Sequence, residues 1–173
     1  VGFLDSLFKR EKGAADANRA IAFIDYEHWF YSYRNLFHMI PDPVSWRKEL
    51  EKKYTLEDVM VFADFSTRPI ADSLNSVRAM TNTVISTQQS SPYRKKDMTD
   101  FIMLDYIYQV SAERDNVGTY ILFTGDGHFQ SVVKYLTQKM DKRVIVYGVT
   151  NATSNRLKDI ATEVMRYRLL IQL

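Results

Sequence analysis

The chain has 173 residues, 46% of them hydrophobic and 13% aromatic, which is ample for one sizeable core and too little for several domains. Its 23 basic and 21 acidic side chains leave a net charge of +2, which excludes a broadly basic nucleic-acid-binding surface, so any attraction for phosphate has to be local. Zero cysteines exclude disulfides, thiolate metal sites and cysteine nucleophiles, and three histidines are a poor basis for a histidine-rich zinc site. No apolar run approaches the roughly 18 residues of a membrane span, and none has signal-peptide flanks, so a soluble, cytoplasmic protein is expected.

In chain order, Phe3, Leu4, Leu7 and Phe8 recur at helical spacing and are followed by Lys9, Arg10 and Lys12. They predict a short amphipathic segment, either packed on its own domain or docked on a protein partner, a second copy of the chain or a membrane surface. Gly13 to Asn18 reads as a small, polar linker, so residues 1–18 are expected to be an appendage and 19–173 the domain. From Ala20 onward, β-rich runs alternate with helical patterns. The runs are Ala20 to Ile24, Val59 to Ala63, Thr83 to Thr87, Thr119 to Thr124 and Arg143 to Tyr147. Between them the spacing predicts helices over Glu27 to Phe37, Val44 to Tyr54, a stretch opened by Pro69, Asp97 to Glu113 and His128 to Met140, with a last helix after Ser154. Runs such as Ile21-Ala22-Phe23-Ile24 are apolar on both faces, as parallel strands between helix layers must be. The alternation predicts a three-layer, doubly wound α/β domain with a mainly parallel sheet of about five strands, to which Leu169 to Leu173 could add an edge.

Ligands of such sheets bind beyond the carboxyl ends of the strands, and here those ends carry aspartates. The first strand ends in Asp25, the second runs into Asp64, and the fourth into Thr124-Gly125-Asp126-Gly127-His128-Phe129. A lone aspartate at a strand end is readily explained as a helix N-cap; three at three strand ends point further. Gly125 and Gly127 suit a tight turn but do not make a phosphate-cradling loop, which needs more glycine and a lysine. On the helix from Asp97, Phe101, Ile102, Met103, Leu104, Ile107 and Val110 surround the axis almost completely, so Asp100 and Asp105 are expected on a largely buried helix, where a carboxylate needs a partner or a metal. For Asp105 the competing reading is an ion pair or hydrogen bond with a neighbour. Asp25, Asp100 and Asp126, with Asp64 or Asp105 as a further ligand or water-holder, make an oxygen-rich cluster suited to Mg²⁺ or Mn²⁺ and to phosphodiester hydrolysis. Arg94, Lys95, Lys96, Arg156 and Lys158 could guide a nucleic-acid backbone and Tyr26, Trp29 and Tyr93 could stack on bases, although for each a solvated charge or a core aromatic is the competing explanation.

Over roughly Arg19 to Tyr167 the sequence resembles the NYN domains, a LabA-like branch of the PIN-like nucleases. The resemblance rests on four ordered segments: Phe23-Ile24-Asp25-Tyr26-Glu27-His28, Lys96-Asp97-Met98-Thr99-Asp100, Thr124-Gly125-Asp126-Gly127-His128-Phe129, and Ser154-Asn155-Arg156-Leu157 with Ala161. It implies a PIN-like α/β fold, a metal-dependent ribonuclease acting on RNA with Mg²⁺ or Mn²⁺, and Asp25, Asp100 and Asp126 as catalytic acids. It also implies that Lys95, Lys96, Ser154 and Arg156 lie toward the nucleic acid. The chain departs from the family pattern at His28, where asparagine is frequent, at His128, where a second aspartate is usual, and in an Asp100 to Asp105 spacing one residue short. His128 could itself ligate the metal or handle a proton, or it could simply face solvent. Two other classes remain in view: a non-catalytic RNA- or protein-binding adaptor on the same fold, and a phosphatase. The phosphatase reading lacks an Asp-x-Asp pattern after the first strand, where this chain has Asp25-Tyr26-Glu27.

Overall fold

The computed structural model describes residues 15–87, 98–149 and 152–167. Residues 1–14, with the amphipathic segment, and Leu169 to Leu173 lie outside them. The elements are β1 (Asp16–Asp25), α1 (Tyr26–Phe37), α2 (Pro43–Glu51), β2 (Thr55–Ala63), a 3₁₀ turn (Ile70–Ser73) leading into α3 (Leu74–Met80), and β3 (Val84–Ser86). They continue with α4 (Met98–Glu113), β4 (Val117–Phe123), a 3₁₀ turn (Gly127–Phe129) leading into α5 (Gln130–Lys134) and a π-turn (Tyr135–Lys139), β5 (Arg143–Val149), α6 (Asn155–Lys158) and β6 (Glu163–Tyr167). The six strands form one sheet in the order β3-β2-β1-β4-β5-β6, and every neighbouring pair is parallel. This is the doubly wound α/β architecture expected, with one strand more than the five runs predict.

That extra strand, β6, is short and carries Arg166 within Glu163–Tyr167, so it lacks the apolar continuity that marks the central strands. At the other end of the sequence β1 starts at Asp16, inside the stretch read as a linker. Asp16 pairs with Val117 and the Thr119 hydroxyl donates to the Ala17 carbonyl at 2.7 Å. These pairings are made by the backbone and need no apolar side chain, so small, polar residues can extend an exposed strand end.

Successive β1 side chains point to opposite faces and build two cores. Ala20, Ala22 and Ile24 meet Trp29 and Tyr33 of α1, Trp46 and Leu50 of α2 and Val77 of α3. Ile21 and Phe23 meet Met103, Ile107 and Val110 of α4, Val132, Val133 and Leu136 of α5 and its following turn, and Leu157 of α6. Helices α1 and α2 and the 3₁₀ turn before α5 start where aspartate side chains satisfy their first N–H groups. Asp25 accepts from the His28 N–H at 3.0 Å, Asp42 from Ser45 at 3.1 Å just before Pro43, and Asp126 from the His128 N–H at 2.9 Å.

Helix α4 differs from expectation. It is not enclosed on most sides: Met103, Ile107, Val110 and Ser111 are buried, whereas Phe101, Asp105 and Tyr108 are exposed. An outer-layer helix offers one stripe to the sheet, and its remaining apolar side chains stay on the surface however many the sequence supplies.

Candidate metal centre

Strand order reverses between β1 and β4. The chain leaves β1 toward α1 on one face of the sheet and leaves β4 toward α5 on the other, which opens a crevice at their carboxyl ends. Asp25, the last residue of β1, and Asp126, just beyond β4, border that crevice, and the first turn of α4 brings Asp100 to it.

Three side chains converge there. The His128 Nδ1 lies 3.2 Å from Asp126 Oδ1 and 3.5 Å from Asp100 Oδ2, and one potential ligand atom from each of Asp100, Asp126 and His128 lies within 4.8 Å of the others. Asp100 is 13% exposed, whereas the His128 side chain is 61% exposed, so the cluster opens to solvent on the histidine side. The two carboxylates suit a hard ion such as Mg²⁺ or Mn²⁺, and the imidazole is a further donor that Mn²⁺ accepts more readily than Mg²⁺, with room left for water ligands. Asp25 offers no oxygen to this converging set but stands beside it. The residue is only 7% exposed, and burial pushes its carboxyl up to about 8, with the negative charges of Asp100, Glu27 and Asp126 adding to the rise against the lowering hydrogen bond from His28. Burial first, and the neighbouring negative charges after it, keep the proton on this carboxyl, and a cation placed beside it would favour the ionised form.

Glu27 was not singled out by the sequence. Its carboxylate accepts from the Asp64 N–H at 2.6 Å, joining the end of β2 to the first turn of α1, and its charge acts on Asp25. The signal was available: two residues after a strand-end aspartate that caps a helix, a side chain is still in the first turn. His28, on the same turn, packs its ring against the Asp126 loop. Burial lowers its pKa, opposed by the Asp126 charge, and Nε2 has no hydrogen-bond partner among the described residues. A Cβ on Gly125 would stand 2.6 Å from that ring and overlap the Ala152 carbonyl oxygen, so only glycine fits the turn.

The remaining expected site residues fall elsewhere. Asp105 faces solvent and accepts from Gln109 Nε2 at 2.7 Å, so it is neither buried nor part of the cluster. Asp64 caps its own turn through the Ser66 N–H at 3.0 Å, one strand away from the crevice centre, and does not join the converging set. Ser154 donates its N–H to the Gly125 carbonyl at 2.8 Å, and its hydroxyl stands 3.1 Å from where a Gly127 Cβ would lie, so it supports the Asp126 turn. Arg156 is exposed on α6, and Lys158 donates to Asn155 Oδ1 at 3.1 Å. Tyr26 and Trp29 are fully buried, Trp29 stacking on Phe123 with ring centroids 4.3 Å apart, so neither is available to a base. Tyr93, Arg94, Lys95, Lys96 and Asp97 lie outside the described residues.

The parallel six-stranded sheet flanked by helices is the PIN-like α/β fold that the sequence leads one to expect. The chain belongs to the NYN domain family, which matches residues 19–168, and so to the PIN-like nuclease superfamily. A solved structure with the same fold is the crystal structure of a protein of unknown function from Vibrio parahaemolyticus. It is 21% identical, with a TM-score of 0.76 over 88% of this chain and 94% of that one. No curated protein matches the sequence significantly. Among the described residues, no helix is long and apolar enough to cross a membrane.

Proposed function

We propose that the protein is a metal-dependent ribonuclease that hydrolyses RNA phosphodiester bonds at the crevice between β1 and β4. The observation carrying this reading is the convergence of Asp100, Asp126 and His128 within 4.8 Å, next to the buried Asp25, in a chain of the NYN family. Asp100 and Asp126 would hold a divalent ion, Mg²⁺ or Mn²⁺, and His128 would add a donor suited to Mn²⁺. When bound, such an ion supplies a water of lowered pKa and neutralises charge on the phosphate.

The chain's own residues do the rest. Asp25 gives up its carboxyl proton as positive charge arrives, adding a third acid without a net gain of negative charge in the metal-free state. The Asp126 backbone is held by the Thr124 hydroxyl, which accepts from its N–H at 3.2 Å, and by the packing of His28 and Ala152 against Gly125. Hydrolysis adds the elements of water across one P–O bond, leaving a phosphate monoester and a hydroxyl. Arg156 on the rim, Ser154, and Lys95 and Lys96 from the segment before α4 would meet the backbone of the bound strand.

The test is cleavage of labelled single-stranded and structured RNA with Mn²⁺, with and without Asp126→Asn. Activity that needs no metal, or an asparagine variant as active as the parent, overturns the proposal. A second reading, an NYN module acting as an adaptor, is favoured by one observation: His128 places an imidazole against both carboxylates where a further acid is usual in the family. Calorimetric titration separates the two, since the adaptor predicts no heat at millimolar Mn²⁺.

A further inference from the structure

Among the apolar side chains exposed in the described residues, Phe101 stands out by position. It is 64% exposed and directly follows Asp100 in the first turn of α4. Asp100 points toward the crevice and Phe101 is turned about 100° away from it around the helix. Tyr108 lies seven residues on, within about 20° of the same direction and roughly 10 Å further along the axis. Its ring lies 5.0 Å from that of Tyr135, in the turn that continues α5. Phe101 therefore stands on the flank of α4 that faces α5, at the end where Asp100 meets His128, itself on the exposed side of the cluster.

We infer that Phe101 is a base-stacking platform for a single-stranded nucleic acid whose phosphate lies at the Asp100, Asp126 and His128 cluster. The inference rests on the nuclease reading for the phosphate's position. It adds a contact to the base: an unpaired base can turn its face onto an exposed ring, whereas a base inside a duplex is already stacked on both sides. Stacking needs no basic surface, so this contact suits a chain whose net charge is only +2. The continuing aromatic flank of Tyr108 and Tyr135 offers a second face further from the cluster.

The experiment measures binding separately from cleavage. Fluorescence anisotropy with a labelled single-stranded RNA oligonucleotide and with the same sequence as a duplex, in Ca²⁺, is compared for the parent, Phe101→Ala and Phe101→Trp. Cleavage with Mn²⁺ is followed on the same oligonucleotides and on a small phosphodiester that has no base. Phe101→Ala should weaken single-strand binding about tenfold, Phe101→Trp should restore it, and turnover of the baseless diester should be the same in all three. Unchanged single-strand affinity in Phe101→Ala, or a parent that binds duplex as tightly as single strand, overturns the inference. A parent that shows no metal-dependent cleavage while Phe101→Ala still loses single-strand affinity overturns the nuclease reading and leaves the stacking site standing.

Discussion

Replacing Asp25 with asparagine should remove a fall in stability with rising pH from the metal-free domain. Burial, and with it the charges of Asp100, Glu27 and Asp126, raises this carboxyl from 3.8 to about 8. Between those values the folded state keeps a proton that the unfolded chain has lost. Stability is therefore greatest below the unfolded value and falls with rising pH, by about 1.4 kcal/mol per pH unit, until the folded carboxyl itself ionises near 8. From about pH 5 to pH 8 the loss amounts to about 4 kcal/mol, allowing for partial ionisation at the upper end. Asparagine keeps an oxygen for the His28 N–H and has no proton to lose. Urea unfolding across that range in the presence of a chelator, for the parent and Asp25→Asn, should show a stability difference that shifts by about 4 kcal/mol in favour of the variant. Mn²⁺ should shrink the shift, because the cation takes over the proton's role. Parallel stability curves for the two proteins would refute the placement of Asp25 as a buried acid pressed by its neighbours.

The other predictions concern the surroundings of the same crevice. His128→Asp adds a carboxylate beside Asp100 and Asp126 and should tighten Mn²⁺ binding by about tenfold in calorimetric titration, since affinity for hard cations follows ligand charge; weaker binding would mean that the imidazole is the better ligand. Gly125→Ala forces a Cβ into the Ala152 carbonyl and the His28 ring. It should cost about 3 kcal/mol in thermal or chemical unfolding and lower metal affinity by shifting Asp126; a variant with parental stability would mean the loop moves freely. Trp29→Ala, in a fully buried position against Phe123, should destabilise the domain by about 3–5 kcal/mol. Trp29→Phe should retain RNA affinity, whereas a specific loss of binding in a stably folded Trp29→Phe protein would return Trp29 to the interface.

Much of the fold was legible because it follows from local rules. Strands such as Ile21-Ala22-Phe23-Ile24 and helical stretches such as His128 to Met140 carry their periodicity within a dozen or so residues, and aspartates that cap helices announce strand ends. The same aspartates serve both purposes: Asp25 and Asp126 cap the elements that follow them and also border the crevice, so capping and a functional site were never exclusive explanations. The short β6 and the early start of β1 were less legible, since edge and end pairings are made by backbone groups whatever the side chains.

The sequence by itself determined the alternation of strands and helices, the acids at the strand ends and, through ordered motifs, membership of the NYN family. Only the tertiary structure decided which acids meet. His128 reaches Asp100 across 28 residues of sequence because β1 and β4 are neighbours and the tops of α4 and α5 adjoin. Asp105, five residues from Asp100, faces solvent because the sheet covers only one stripe of α4. The core reading of Trp29 is the one the packing bears out, whereas the exposure of Phe101 runs against the enclosed helix the sequence predicts. Both are aromatic residues within a turn of an acid that borders the crevice, and which of them enters the core depends on the face each helix turns toward the sheet, a choice made when the layers pack.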